Sequence, residues 1–128
     1  MSYFDPYLKG ERPELIIAEN ESFIAILEEK PLVLGHCVVI PKREEDSFFD
    51  LTNDELSAIM IFAKPIAQAI QKTVNCKKIG IAALGLQVRH AHLHLVPINS
   101  ADDLNFTRAK LEVSNDELKK MAELIRRA

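Results

Sequence analysis

Cysteine is scarce in this chain: Cys37 and Cys76 are the only two, and they form no Cys-x-x-Cys pair. They read as reduced core or near-core thiols rather than as a disulfide framework. A basic surplus is missing too, because 16 Lys and Arg stand against 19 Asp and Glu, a net charge of −3. Such a balance gives no footprint for a nucleic-acid polymer. No apolar stretch approaches the roughly 20 residues of a membrane-spanning helix. The opening Met1-Ser2-Tyr3-Phe4-Asp5 lacks the basic and apolar regions of a signal peptide. A cytoplasmic protein without a membrane partner is the expectation. What the chain does have is apolar residues, 48% of 128. That suffices for one domain over residues 1–128, burying roughly two thirds of its unfolded surface, with 98–128 as a C-terminal loop and helix.

Histidine is also rare, yet three of the four fall in Arg89-His90-Ala91-His92-Leu93-His94-Leu95-Val96-Pro97. A strand sends successive side chains to opposite faces, so His90, His92 and His94 would share one face and Ala91, Leu93 and Leu95 the other. In a helix the same imidazoles would spread over about 400° of arc and make no site. Three readings follow: structural histidines with satisfied hydrogen bonds, a metal site, or acid/base and nucleophilic chemistry. The ends of a five-residue strand lie about 13 Å apart. A metal holding imidazole nitrogens at about 2.0 to 2.1 Å cannot span that with these three alone.

The rest of the chain alternates or repeats in ways that set a fold. Residues 4–9 suggest a helical turn, with Phe4 and Tyr7 three apart on one face. Residues 15–18 and 23–27 are apolar and rich in β-branched side chains, and Glu19-Asn20-Glu21-Ser22 between them reads as a hairpin turn. His36 opens a third strand with Val38 and Ile40 on its own face. Beside the triad strand, His36 becomes a fourth imidazole that fixes a tautomer or ring orientation; otherwise it is a buried histidine of the core. Thr52 with Glu55 three residues on forms a capping box, so a long helix begins there. Leu56, Ile59, Met60, Ala63, Ile66, Ala67, Ile70 and Val74 give it an apolar face, and Pro65 is expected to kink it. Residues 78–84 read as a further strand. Ser114 and Glu117 cap a terminal helix, while 98–110 carries no signature. Strands in short-loop pairs on either side of one long helix make an α+β fold: a mainly antiparallel five-stranded sheet with that helix and a C-terminal one.

Two segments carry a resemblance. His90-Ala91-His92-Leu93-His94-Leu95-Val96 matches the His-φ-His-φ-His-φ-φ signature of the histidine triad (HIT) family, where φ is apolar. Pro31-Leu32-Val33-Leu34-Gly35-His36-Cys37-Val38-Val39-Ile40-Pro41-Lys42 is similar to that family's Pro-x-x-x-Gly-His-x-x-Val-Ile-Pro-Lys segment. The pattern covers the chain from about Tyr3 to Pro97. The resemblance implies a HIT-like fold and a homodimer with a joint sheet. It places a ribose-binding acid at Glu28, where the family more often has Asp. Phe4 and Tyr7 would wall a nucleobase pocket, with Ile26 and Val38 completing the substrate-binding set. The chain departs from the family where Ala82 and Ala83 replace an Asn and where Leu86-Gln87-Val88 ends a shortened phosphate loop. That leaves the Gln87 side chain and the amides around Gly85 to receive an anion. The N-terminal Cys-x-x-Cys of some members, part of a zinc site, is replaced by Ser2-Tyr3-Phe4-Asp5.

The implied activity is hydrolysis or nucleotidyl transfer at an α-phosphate of a purine nucleotide or nucleoside phosphoramidate, or of a dinucleoside polyphosphate. His92 would be the nucleophile, giving a nucleotidyl-histidine that water cleaves. His94 would serve the leaving group, and His90 and His36 would orient and carry charge. No metal or other cofactor is called for. A nucleotide-binding protein with little catalysis, acting through partners, and a His-ligated metalloprotein remain as alternatives.

Overall fold

The computed structural model describes residues 2–128. Its elements in chain order are α1 (Asp5–Leu8), β1 (Ile16–Glu19), β2 (Phe23–Leu27), β3 (Cys37–Pro41), α2 (Asn53–Thr73), β4 (Lys78–Ala82), β5 (Leu93–Ile98) and α3 (Asn115–Arg127). The strands form one antiparallel sheet in the order β1-β2-β3-β5-β4. This is the α+β architecture that the sequence pattern implies.

Local chemistry explains the elements. Helix α2 starts where the Thr52 hydroxyl accepts from the Glu55 amide and the Glu55 carboxylate accepts from the Thr52 amide. It continues through Pro65 and buries Ile59, Ala63, Ile66 and Ile70 along one stripe. Between β1 and β2, the Asn20 side-chain oxygen accepts from the Ser22 and Phe23 amides and closes the hairpin. Gly35 sits at φ +104°, a region L-residues rarely adopt, and a Cβ there would lie 2.8 Å from Val74 Cγ2. The turn into β3 therefore needs glycine twice over.

Register assigns the two faces of the sheet. Ile26 opposes Val38, and Val38 opposes His94, so these three share a face with Ala82 across β5. Phe23 alternates to the opposite face and packs its ring 5.6 Å from Phe62 of α2. The long helix thus covers one face, and the histidines occupy the other. On that second face the N-terminal segment lays Phe4 and Tyr7 into the core.

The strand that holds the histidines is shorter than the alternation implies. It begins at Leu93, so only His94 belongs to it, and His90 and His92 precede it. Pro41 is the reason: two steps beyond the Val39–Leu93 pair, the register would set Ala91 against a residue with no N–H. The Ala91 amide instead donates to the Glu45 carbonyl at 2.6 Å. Strand β4 likewise stops at Ala82, two residues short of the apolar run.

Candidate active site

Each imidazole is held by a different partner, and the partners assign the tautomers. The Pro41 carbonyl can only accept, so His90 donates from Nε2 to it across 2.8 Å. In the neutral ring, the Ser2 hydroxyl donates to Nδ1 of His90 at 2.7 Å while accepting from the Phe4 amide. His92 lies 2.6 Å from the His90 carbonyl through Nδ1. That nitrogen must carry the proton, which leaves a lone pair on His92 Nε2.

His36 works in the opposite sense. The Leu32 amide donates to its Nδ1 at 3.2 Å, so its proton sits on Nε2 and is donated to Nδ1 of His94 at 2.9 Å. His94 must then carry its own proton on Nε2. The rings of His92 and His94 are 4.7 Å apart with their planes at 76°. One ring presents a lone pair and its neighbour an N–H.

Burial favours the neutral form of His36, His92 and His94. Loss of water, then the Lys110 cation and His92, push His36 down to about 3. Burial followed by the charges of His36, His92 and Lys110 does the same to His94, also to about 3. His92 is lowered by burial first, with the His90 carbonyl pulling the other way. A cationic ring would be a poor nucleophile; burial favours the base.

Around the cluster, Phe4 stands edge-on to His92 at 5.1 Å and to His90 at 5.7 Å. Tyr7 is buried as well, and its hydroxyl donates to Glu29 Oε1 at 2.6 Å, an oxygen that also accepts from Arg12. Ile26 and Val38 are fully buried beneath this segment's side of the sheet. Glu28 follows β2 directly, its amide donating to the His36 carbonyl and its Oε2 accepting from the Glu29 amide. Burial raises its carboxyl above the usual range, against the pull of the Glu29 and Lys30 amides. Gly85, at φ +69°, turns the loop after β4. Gln87 in that loop is exposed, and its side chain makes no hydrogen bond among the described residues. The fold therefore gathers His36, His90, His92, His94 and Phe4 in one cluster.

Sequence reasoning missed three contributors. Ser2 reaches His90, Phe106 packs its ring 4.7 Å from His94 and 6.2 Å from His36, and Lys110 stands 6.0 Å over the Phe106 ring. An aromatic residue alone in the polar stretch 98–110 was the one available sign.

A family model described as the HIT domain matches residues 9–101. This chain belongs to the HIT family. An uncharacterised HIT-like protein of Mycobacterium tuberculosis is 27% identical over 130 residues, covering 98% of this chain and 90% of that protein. A bis(5'-adenosyl)-triphosphatase of Dictyostelium discoideum is 28% identical over 120 residues, covering 90% and 79%. Among solved structures, a HIT-like protein involved in cell-cycle regulation from Bartonella henselae superposes with a TM-score of 0.81 at 23% identity, covering 98% and 95%. That likeness establishes the fold. No helix among the described residues is long and apolar enough to cross a membrane.

Proposed function

We propose that this HIT protein is a nucleotide hydrolase or nucleotidyl transferase acting at the α-phosphate of a purine nucleotide, either a phosphoramidate or a dinucleoside polyphosphate. The observation that carries the reading is the pairing of a lone pair on His92 Nε2 with an N–H on His94, in rings 4.7 Å apart. Nε2 of His92 attacks phosphorus and forms an N–P bond while the bond to the leaving group breaks, its electron pair departing with that group. His94 donates its Nε2 hydrogen toward the departing atom, or to the phosphate oxygens as their charge grows. Water then attacks the nucleotidyl-histidine, the electrons of the N–P bond return to His92, and a nucleoside monophosphate leaves. The Dictyostelium relative, by its name a dinucleoside triphosphatase, supports a substrate of this class.

Glu28 is proposed to accept from ribose hydroxyls, and the amides around Gly85 to meet phosphate. Phe4, Tyr7, Ile26 and Val38 are proposed to border the base. Because Phe4 and Tyr7 are 3% and 4% exposed, admitting a base there requires the N-terminal segment to give way.

Replacing His92 with Ala is expected to abolish turnover of adenosine phosphoramidate and of a dinucleoside polyphosphate, with the fold and nucleotide affinity retained. Persistent turnover would take the nucleophile role away from His92. The shortened phosphate loop, with Ala82 and Ala83 in place of an Asn, favours a second reading, a nucleotide-binding protein with little catalysis. Turnover and nucleoside monophosphate affinity measured on one preparation separate the two.

A further inference from the structure

Lys110, like Lys30 beside it on the same cavity, differs from the arginines near the cluster. Arg12 is paired with Glu14 and Glu29, Arg89 with Asp46, and Arg108 with Asp102 and Asp103. Lys110 has no carboxylate within ion-pair distance among the described residues. Its Nζ is held by the carbonyls of Phe106 at 2.8 Å and Arg108 at 3.2 Å. An ammonium has three hydrogens, so one remains to offer.

The loop that carries it is fastened to the site. Arg108 donates to the Leu32 carbonyl, and the Leu111 amide donates to the Pro31 carbonyl, both in the turn that leads to His36. Phe106 then lies against His94, and Lys110 lies over Phe106. The charge is felt at His36, His94 and Glu28, all three of which it pulls toward lower pKa. On its far side Lys110 borders a cavity of about 350 Å³ shared with Lys30, Glu29 and Glu112. Glu29 shares the Arg12 guanidinium with Glu14.

We infer that residues 105–110 form a specificity wall, with Phe106 shielding His94 and Lys110 selecting substrates that carry anionic charge beyond the reacting phosphate. The inference rests on the nucleotide reading above and sharpens it. The histidines supply one lone pair and one N–H, which suffice for a single phosphate. A polyphosphate chain brings further negative charges that only a cation can meet, whereas a phosphoramidate brings none. The side chain thus favours polyphosphate substrates over phosphoramidates.

The test compares the affinity of adenosine monophosphate with that of α,β-methylene adenosine triphosphate, which cannot be cleaved at the α-phosphate, by calorimetry without divalent metal. Wild type is expected to prefer the triphosphate analogue about tenfold, a difference of about 1.4 kcal/mol. Lys110→Gln should erase that preference, Lys110→Arg should keep it, and added salt should shrink it. Equal affinities in wild type, a preference untouched in Lys110→Gln, or an equal loss for both ligands would each overturn the inference. Should the preference hold while neither adenosine phosphoramidate nor diadenosine triphosphate is turned over, the catalytic reading falls and this one stands. Failure of both ligands to bind sinks the two together.

Discussion

Ring nitrogens of His36 and His94 share a single hydrogen bond at 2.9 Å, and that economy makes acid a stress on the fold. Both side chains are pushed to about 3 from an ordinary 6.5, with burial the first cause. Between these values the unfolded chain binds protons that the folded chain refuses, so stability rises with pH from about 3 to 6.5 and is level above. Each histidine that titrates this way contributes a slope of up to about 1.4 kcal/mol per pH unit. Thermal unfolding midpoints are expected to be flat between pH 7 and 8 and to fall steadily below pH 6.5. The fall should be shallower in His94→Gln; an identical profile in that variant would show that other groups govern the acid response.

Among the elements, the turn before β3 makes the sharpest prediction. Gly35→Ala meets both a positive φ and Val74 Cγ2 at 2.8 Å, so a loss of about 1–3 kcal/mol is expected in denaturant unfolding. A variant as stable as wild type would mean that α2 shifts freely. The same elements reveal what the sequence could and could not convey. Helix α2 was legible because Thr52 and Glu55 announce its start and its apolar stripe is local in sequence. The sheet was legible because alternation at Val38 and Ile40, and at His94 between Leu93 and Leu95, is local too. The start of β5 was not, since it depends on the missing N–H of Pro41, some fifty residues away, and on where the Ala91 amide finds its acceptor. The contact of Phe106 with His94 was equally hidden. It arises because Arg108 and Leu111 bond to carbonyls at Leu32 and Pro31, a pairing without any periodic trace.

For the whole molecule, the outer edge of the sheet is the feature that points beyond one chain. Among the described residues strand β4 is paired on one side only, and Ile81 within it and Leu84 just beyond its end are 51% and 47% exposed. An open edge with apolar side chains invites pairing with another strand. We propose a homodimer joined along β4. Light scattering is expected to give twice 14.4 kDa, and Ile81→Lys with Leu84→Lys to halve it; a monomeric wild type would refute the pairing. A different durability comes from the link between His92 and the carbonyl of His90. Because that acceptor is part of the polypeptide itself, every amino acid at position 90 supplies it. Genetic drift there can alter the neighbouring ring without deleting the group that orients His92.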